Sequence, residues 1–153
     1  MKRILLAIVL LILAFTASCE VDDICTSNTL TPKLIVRFYD DVVTDSITKV
    51  DSLYVWRIDR DTIYNHKTID SIALPFDIQN ESTTYILNTG YKTDTLYLHH
   101  ENNEIYVSRS CGYKYNFSLL NTTYTTHNWI VSEELNTPQT IENEQNAHIK
   151  IYH

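Results

Sequence analysis

The sequence predicts an all-β protein, an antiparallel immunoglobulin-like β-sandwich of about eight to ten short strands, with a small β-barrel as the runner-up. Three observations carry this. The 153 residues include 11 Tyr but only 2 Gly and 3 Pro, and Thr, Ile and Val are frequent, which suits pleated, half-buried strands. After the N-terminal apolar run, no window of helical length places apolar residues at i, i+3, i+4 and i+7. Short apolar runs instead alternate with period two between polar turn signals.

Pro32 opens KLIVRFYD, where Leu34, Val36 and Phe38 share one face and Ile35, Arg37 and Tyr39 the other. DDVVTDSITK reads as a long turn. DSLYVWRID sets Leu53 and Val55 against Tyr54, Trp56 and Ile58, and DTIYN and TIDSIALPFD follow as shorter strands, Pro75 suiting an edge or a strand end. TTYILNTG closes at Gly90. DTLYLHHE and EIYVSRS, separated by ENNE, form the clearest hairpin, 94–101 with 104–110. CGYKYNFSLL sets Tyr113, Tyr115, Phe117 and Leu119 on one face. HNWIVSE, TPQTIENE and a final NAHIKIYH with Ile149 and Ile151 inward complete a domain spanning 33–153. Most of the tyrosines are expected at inward positions.

The first residues differ. Lys2 and Arg3 precede the unbroken apolar run Ile4 to Phe15, then Thr16, Ala17, Ser18 and Cys19. A run of about a dozen residues is short for a bilayer span of roughly 20 and fits the core of a secretory signal peptide over 1–18; an uncleaved anchor is the alternative. Small residues before a cysteine resemble a bacterial lipobox, although Leu is commoner where Thr16 stands. The resemblance implies cleavage before Cys19, acylation of that residue by diacylglycerol and a further chain such as palmitate, and a lipidated tether over 19–32. Two or three acyl chains anchor stably where one binds marginally. A plain secreted chain with Cys19 in a disulfide is the competing reading.

With Cys19 lipidated, Cys25 and Cys111 remain. In an oxidising compartment an even remainder suggests a disulfide. It would close a loop of roughly 86 residues and join the N-terminal segment to a central strand. Metal is the alternative, but no CxxC is present and two cysteines with scattered histidines make a poor zinc set.

Asp, then Ser or Thr, then an aliphatic residue recurs at Asp45-Ser46-Ile47, Asp51-Ser52-Leu53, Asp61-Thr62-Ile63, Asp70-Ser71-Ile72 and Asp94-Thr95-Leu96. An Asx turn followed by a strand start explains the pattern structurally. It also resembles the O-glycosylation sequon of exported Bacteroidota proteins, which implies modification at Ser46, Ser52, Thr62, Ser71 and Thr95 on exposed strand entries.

The chemistry-bearing candidates are sparse. His99-His100-Glu101 would point adjacent histidines to opposite faces of a strand. His66, His127, His148 and His153 are scattered. No GxSxG, HExxH or P-loop occurs, and Asp40-Asp41 and Glu133-Glu134 read as solvated turn residues. No catalytic residue, metal site or cofactor is expected. The net charge of −7 without a basic stripe argues against nucleic acid.

CEVDDIC at 19–25, TPKLIVRFYD at 31–40, IALP at 72–75, DTLYL at 94–98, SRSCGY at 108–113 and WI at 129–130 together resemble an uncharacterised family of Bacteroidota lipoproteins, domain of unknown function 6452, over nearly the whole mature chain. The resemblance implies that Cys25 and Cys111 belong together, and it implies no activity. Glu20, Asp22 and Asp23 resemble a surface-export signal; a solvated tether is the alternative. The reading that follows is a non-enzymatic binding or assembly module, exported and lipid-anchored to the outer membrane on its periplasmic or cell-surface side, with an envelope protein or glycan as partner. An enzyme acting on envelope glycan or peptide is the alternative.

Overall fold

The computed structural model describes residues 24–25, 30–58, 62–136 and 140–153. The expected signal segment over 1–18, Cys19 and most of the expected tether over 19–32 lie outside them. Eleven strands follow one another in the described chain: β1 Leu34–Tyr39, β2 Val50–Arg57, β3 Thr62–Ile69, β4 Ser71–Leu74, β5 Ser82–Asn88, β6 Thr93–Ser108, β7 Gly112–Leu119, β8 Tyr124–Thr125, β9 Ser132–Leu135, β10 Thr140–Ile141 and β11 Ile149–Tyr152. They form two sheets. One has four strands in the order β4-β1-β11-β9; the other has seven, β10-β7-β6-β5-β2-β3 with β8 beside β6. The fold is a β-sandwich, as expected.

Chain contacts divide the molecule into two units, Leu30–Ile105 with Lys114–His153, and Met1–Thr29 with Tyr106–Tyr113. The larger unit holds the core. Its inward positions are those that alternation marks: Leu34, Val36, Phe38, Leu53, Val55, Leu96, Leu98, Phe117, Leu119, Ile149 and Ile151 are all buried. Tyr85 is buried among them, and its hydroxyl donates to the Pro75 carbonyl. Burial drives the Tyr85 phenol far above its ordinary range. In the smaller unit, Cys25 and Cys111 are disulfide-bonded with Cα atoms 4.9 Å apart. The Cys111 N–H donates to the Ser108 hydroxyl at 3.1 Å, and the Tyr106 and Tyr113 rings meet edge to face.

Four expectations are corrected. The sandwich is not wholly antiparallel, because β1 and β11 pair in parallel, Val36 opposite Ile149 and Phe38 opposite Ile151. Alternation sets which face is buried; it does not set strand direction. Second, ENNE is no turn: β6 runs through it for 16 residues. Asn102 fastens that stretch, its amide donating to the carbonyls of Asp77, Ile78 and Asn80, while Asn103 donates to Ser118. Third, Cys111 therefore lies in the turn between β6 and β7, not in a central strand. Fourth, Glu133 and Glu134 belong to β9 rather than a turn; Glu133 accepts from the Thr125 N–H and hydroxyl. Asp40 does behave as a turn residue, accepting from the N–H groups of Val42 and Val43.

Candidate functional site

The outer face of the four-stranded sheet carries a polar groove of about 560 Å³. Outward alternation on β1 presents Arg37 and Tyr39; β9 and the residue after it bring Glu134, Leu135 and Asn136; Thr140, Glu142, Asn143, Asn146, Ala147 and His148 complete the lining. The sheet register sets the first wall. Arg37 lies opposite Lys150, and Lys150 opposite Glu134, so the charges run plus, plus, minus across three strands. In the next row Tyr39 lies opposite Tyr152, their ring centroids 5.8 Å apart. Glu134 accepts from the Tyr152 hydroxyl at 2.9 Å and from Lys150 at 3.3 Å. Those two bonds hold its carboxyl below the usual range.

The opposite wall is a loop locked by its own hydrogen bonds. Asn136 donates through its backbone to the His148 carbonyl and through its amide to the Ala147 carbonyl. The Asn143 side chain accepts from the Gln145 N–H. Lys33 N–H donates to Glu144. His148 extends the β1 ladder twice: its N–H donates to the Ile35 carbonyl, and its Nδ1 accepts from the Ile35 N–H at 2.9 Å. An accepting Nδ1 places the ring proton on Nε2. Burial, opposed by the Asn143 carbonyl and Glu144, holds His148 below the ordinary histidine value and so neutral.

Of the histidines and paired acids weighed from sequence, His148 and Glu134 line the groove and the others lie outside it. His99 and His100 do face opposite ways. His100 is fully buried, and its network fixes its tautomer. Asn102 uses its amide nitrogen on three carbonyls, so its oxygen accepts from His100 Nδ1 at 2.8 Å. His100 Nε2 then accepts from the Thr83 hydroxyl at 3.0 Å. His100 is a neutral structural group, its proton affinity lowered chiefly by burial. His99 lies on the outer face, stacked over Tyr124. Among the described residues no group of three or more His, Cys, Asp or Glu could hold a metal ion.

Ser46, Ser52 and Thr62 are exposed, whereas Ser71 and Thr95 are half-buried. Ser52 sits at φ 50°, beside the register shifts between β2 and β3. Asp94 is no exposed turn residue. It is fully buried, and its carboxylate accepts from the backbone N–H groups of Asn128, Trp129 and Ile130, the Thr126 hydroxyl and the Asn128 amide. Burial alone would raise its pKa; these bonds outweigh it and hold the group ionised below the usual carboxylate range.

The tyrosines are also corrected. Of the eleven, Tyr85 alone is buried. Tyr54 and Trp56, with centroids 4.9 Å apart, and Tyr97 and Tyr124, 4.7 Å apart, occupy the outer face of the larger sheet. Their strands put Leu53, Val55, Leu96 and Leu98 inward, so alternation sends the rings outward.

Residues 52–153 match the family described as "Family of unknown function (DUF6452)". The chain belongs to the DUF6452 family. The match takes in IALP, DTLYL, SRSCGY and WI and begins after CEVDDIC and TPKLIVRFYD. It includes every groove residue except Arg37 and Tyr39. No curated protein and no solved structure matches this DUF6452 chain. Sequence reasoning singled out none of the groove residues as a site; the three asparagines within 136–146 were the available signal.

Proposed function

We propose that this DUF6452 protein is a non-enzymatic binding or assembly module, exported and held at the outer membrane by lipid on Cys19. The groove on the four-stranded sheet carries the binding half of that reading. Its lining is recognition chemistry: a guanidinium and a phenol on β1, with side-chain amides on the facing segments outside the strands. Two of its titratable members are occupied. His148 accepts from the backbone of Ile35, and Glu134 is bound by Tyr152 and Lys150, so neither is poised to shuttle a proton. The anchoring half rests on the Lys-Arg start, the apolar run and the TAS triplet before Cys19.

Two measurements test the two halves. Labelling of cells with a fatty-acid analogue is expected to mark the wild-type chain and not Cys19→Ala; equal labelling overturns the anchor. Crosslinking and pull-down from intact cells should recover an envelope component with the wild type and much less with Asn146→Ala, Glu142→Gln combined. Equal recovery overturns the groove as the binding surface.

A further inference from the structure

Resting on the reading of the groove as a binding site, we infer that its ligand is a neutral oligosaccharide. Four chemistries can be compared against the lining. An anionic ligand would meet Glu134 and Glu142 as well as Arg37, and like charges at a desolvated contact oppose binding. A metal ion lacks its ligands: Glu134 Oε2 already accepts from Tyr152 and Lys150. An apolar ligand finds little surface, since Leu135 packs against the core and Ala147 is buried. An extended peptide needs a long free strand edge or apolar pockets for alternate side chains; β9, at the edge of its sheet, is only 4 residues long, and the lining is mostly polar.

A neutral sugar presents neighbouring hydroxyls that each donate and accept. Asn146 carries an acceptor and a donor in one plane; with its nitrogen on Ala147, Asn136 offers its oxygen, and with its oxygen on Gln145, Asn143 offers its amide N–H groups. Arg37 adds a fork of donors, Glu142 acceptors, and Thr140 and Tyr39 hydroxyls of either role. A volume of about 560 Å³ accommodates a ligand on the order of a di- or trisaccharide. The loop wall is held by Asn136 on Ala147, Asn143 on Gln145 and His148 on Ile35, so little ordering cost remains at binding.

The test is an NMR titration of the full chain in detergent micelles with its disulfide intact. The probes are neutral trisaccharides of hexose and of N-acetylhexosamine, a uronic-acid trisaccharide and a tripeptide. At least one neutral trisaccharide is expected to shift the side-chain amides of Asn136, Asn143 and Asn146. Asn146→Ala and Glu142→Gln, both at exposed positions, should each weaken it about three- to tenfold, and Lys92→Ala should not. Unchanged spectra elsewhere in each variant show that it folds. Groove shifts with the uronic acid or tripeptide alone overturn the sugar class and leave the binding-module reading standing. No groove shift with any probe also overturns the sugar class; the cell crosslinking above then judges the module separately. Binding insensitive to both variants overturns the location.

Discussion

Asp94 gathers one stretch of backbone onto a single side chain. Three consecutive N–H groups, 128 to 130, and the Thr126 hydroxyl end on one buried carboxylate. Asp94→Ala leaves those donors without an acceptor and is expected to cost about 3 kcal/mol or more in chemical denaturation. Because the folded pKa is depressed, this contribution is present above the unfolded value of 3.8 and fades as pH falls through the folded pKa. The histidines act at higher pH. His100, His148 and His153 are all held below their ordinary value of 6.5, first by burial, so the unfolded chain binds protons that the folded one refuses. Stability is expected to be complete above about pH 6.5 and to decline below it. In melting curves between pH 7.5 and 5, His148→Asn should flatten this decline, since an amide oxygen can accept from Ile35 without titrating. An unchanged slope contradicts the assignment. None of this was legible from local sequence. Asp94-Thr95-Leu96 looks like any of its sister tripeptides, and its donors lie more than thirty residues downstream.

At the level of strands, alternation did most of the work. Leu34, Val36 and Phe38, Leu53 and Val55, Leu96 and Leu98, and Ile149 and Ile151 all point inward as read, because a period of two leaves one face to bury. What alternation does not encode is the partner. The parallel clasp of β1 and β11 joins residues more than a hundred positions apart, and it is what brings Arg37 into one groove with Asn146, Ala147 and His148. Ile151 is fully buried in that clasp. Ile151→Ala is expected to cost about 2–5 kcal/mol and, by loosening β11, to weaken binding in the groove as well. The ENNE stretch misled for a related reason: Asn is a turn residue in isolation, but Asn102 has carbonyls of 77–80 to bond. The disulfide closes a sequence separation of 86. Cys25→Ser with Cys111→Ser should lose about 4 to 5 kcal/mol on the chain-entropy account; a loss near zero would mean that the reduced chain is already restrained.

For the whole molecule, the sandwich was legible in the sequence, while the groove needed the fold. Arg37, Glu134 and Asn146 are ordinary surface residues until β1, β9 and the loop before β11 bring them to one concavity. Cys19 lies only six residues before Cys25 in the sequence, so the proposed lipid would hold the chain close to a covalently closed loop. The central proposal is that this chain recognises a ligand through the groove. It is tested most directly by a photo-crosslinking residue placed at Asn146 in living cells, with the same residue at the exposed Tyr91 as reference. The account predicts a defined adduct from position 146 that is absent from position 91. Adducts from position 91 alone, or identical adducts from both, would contradict it.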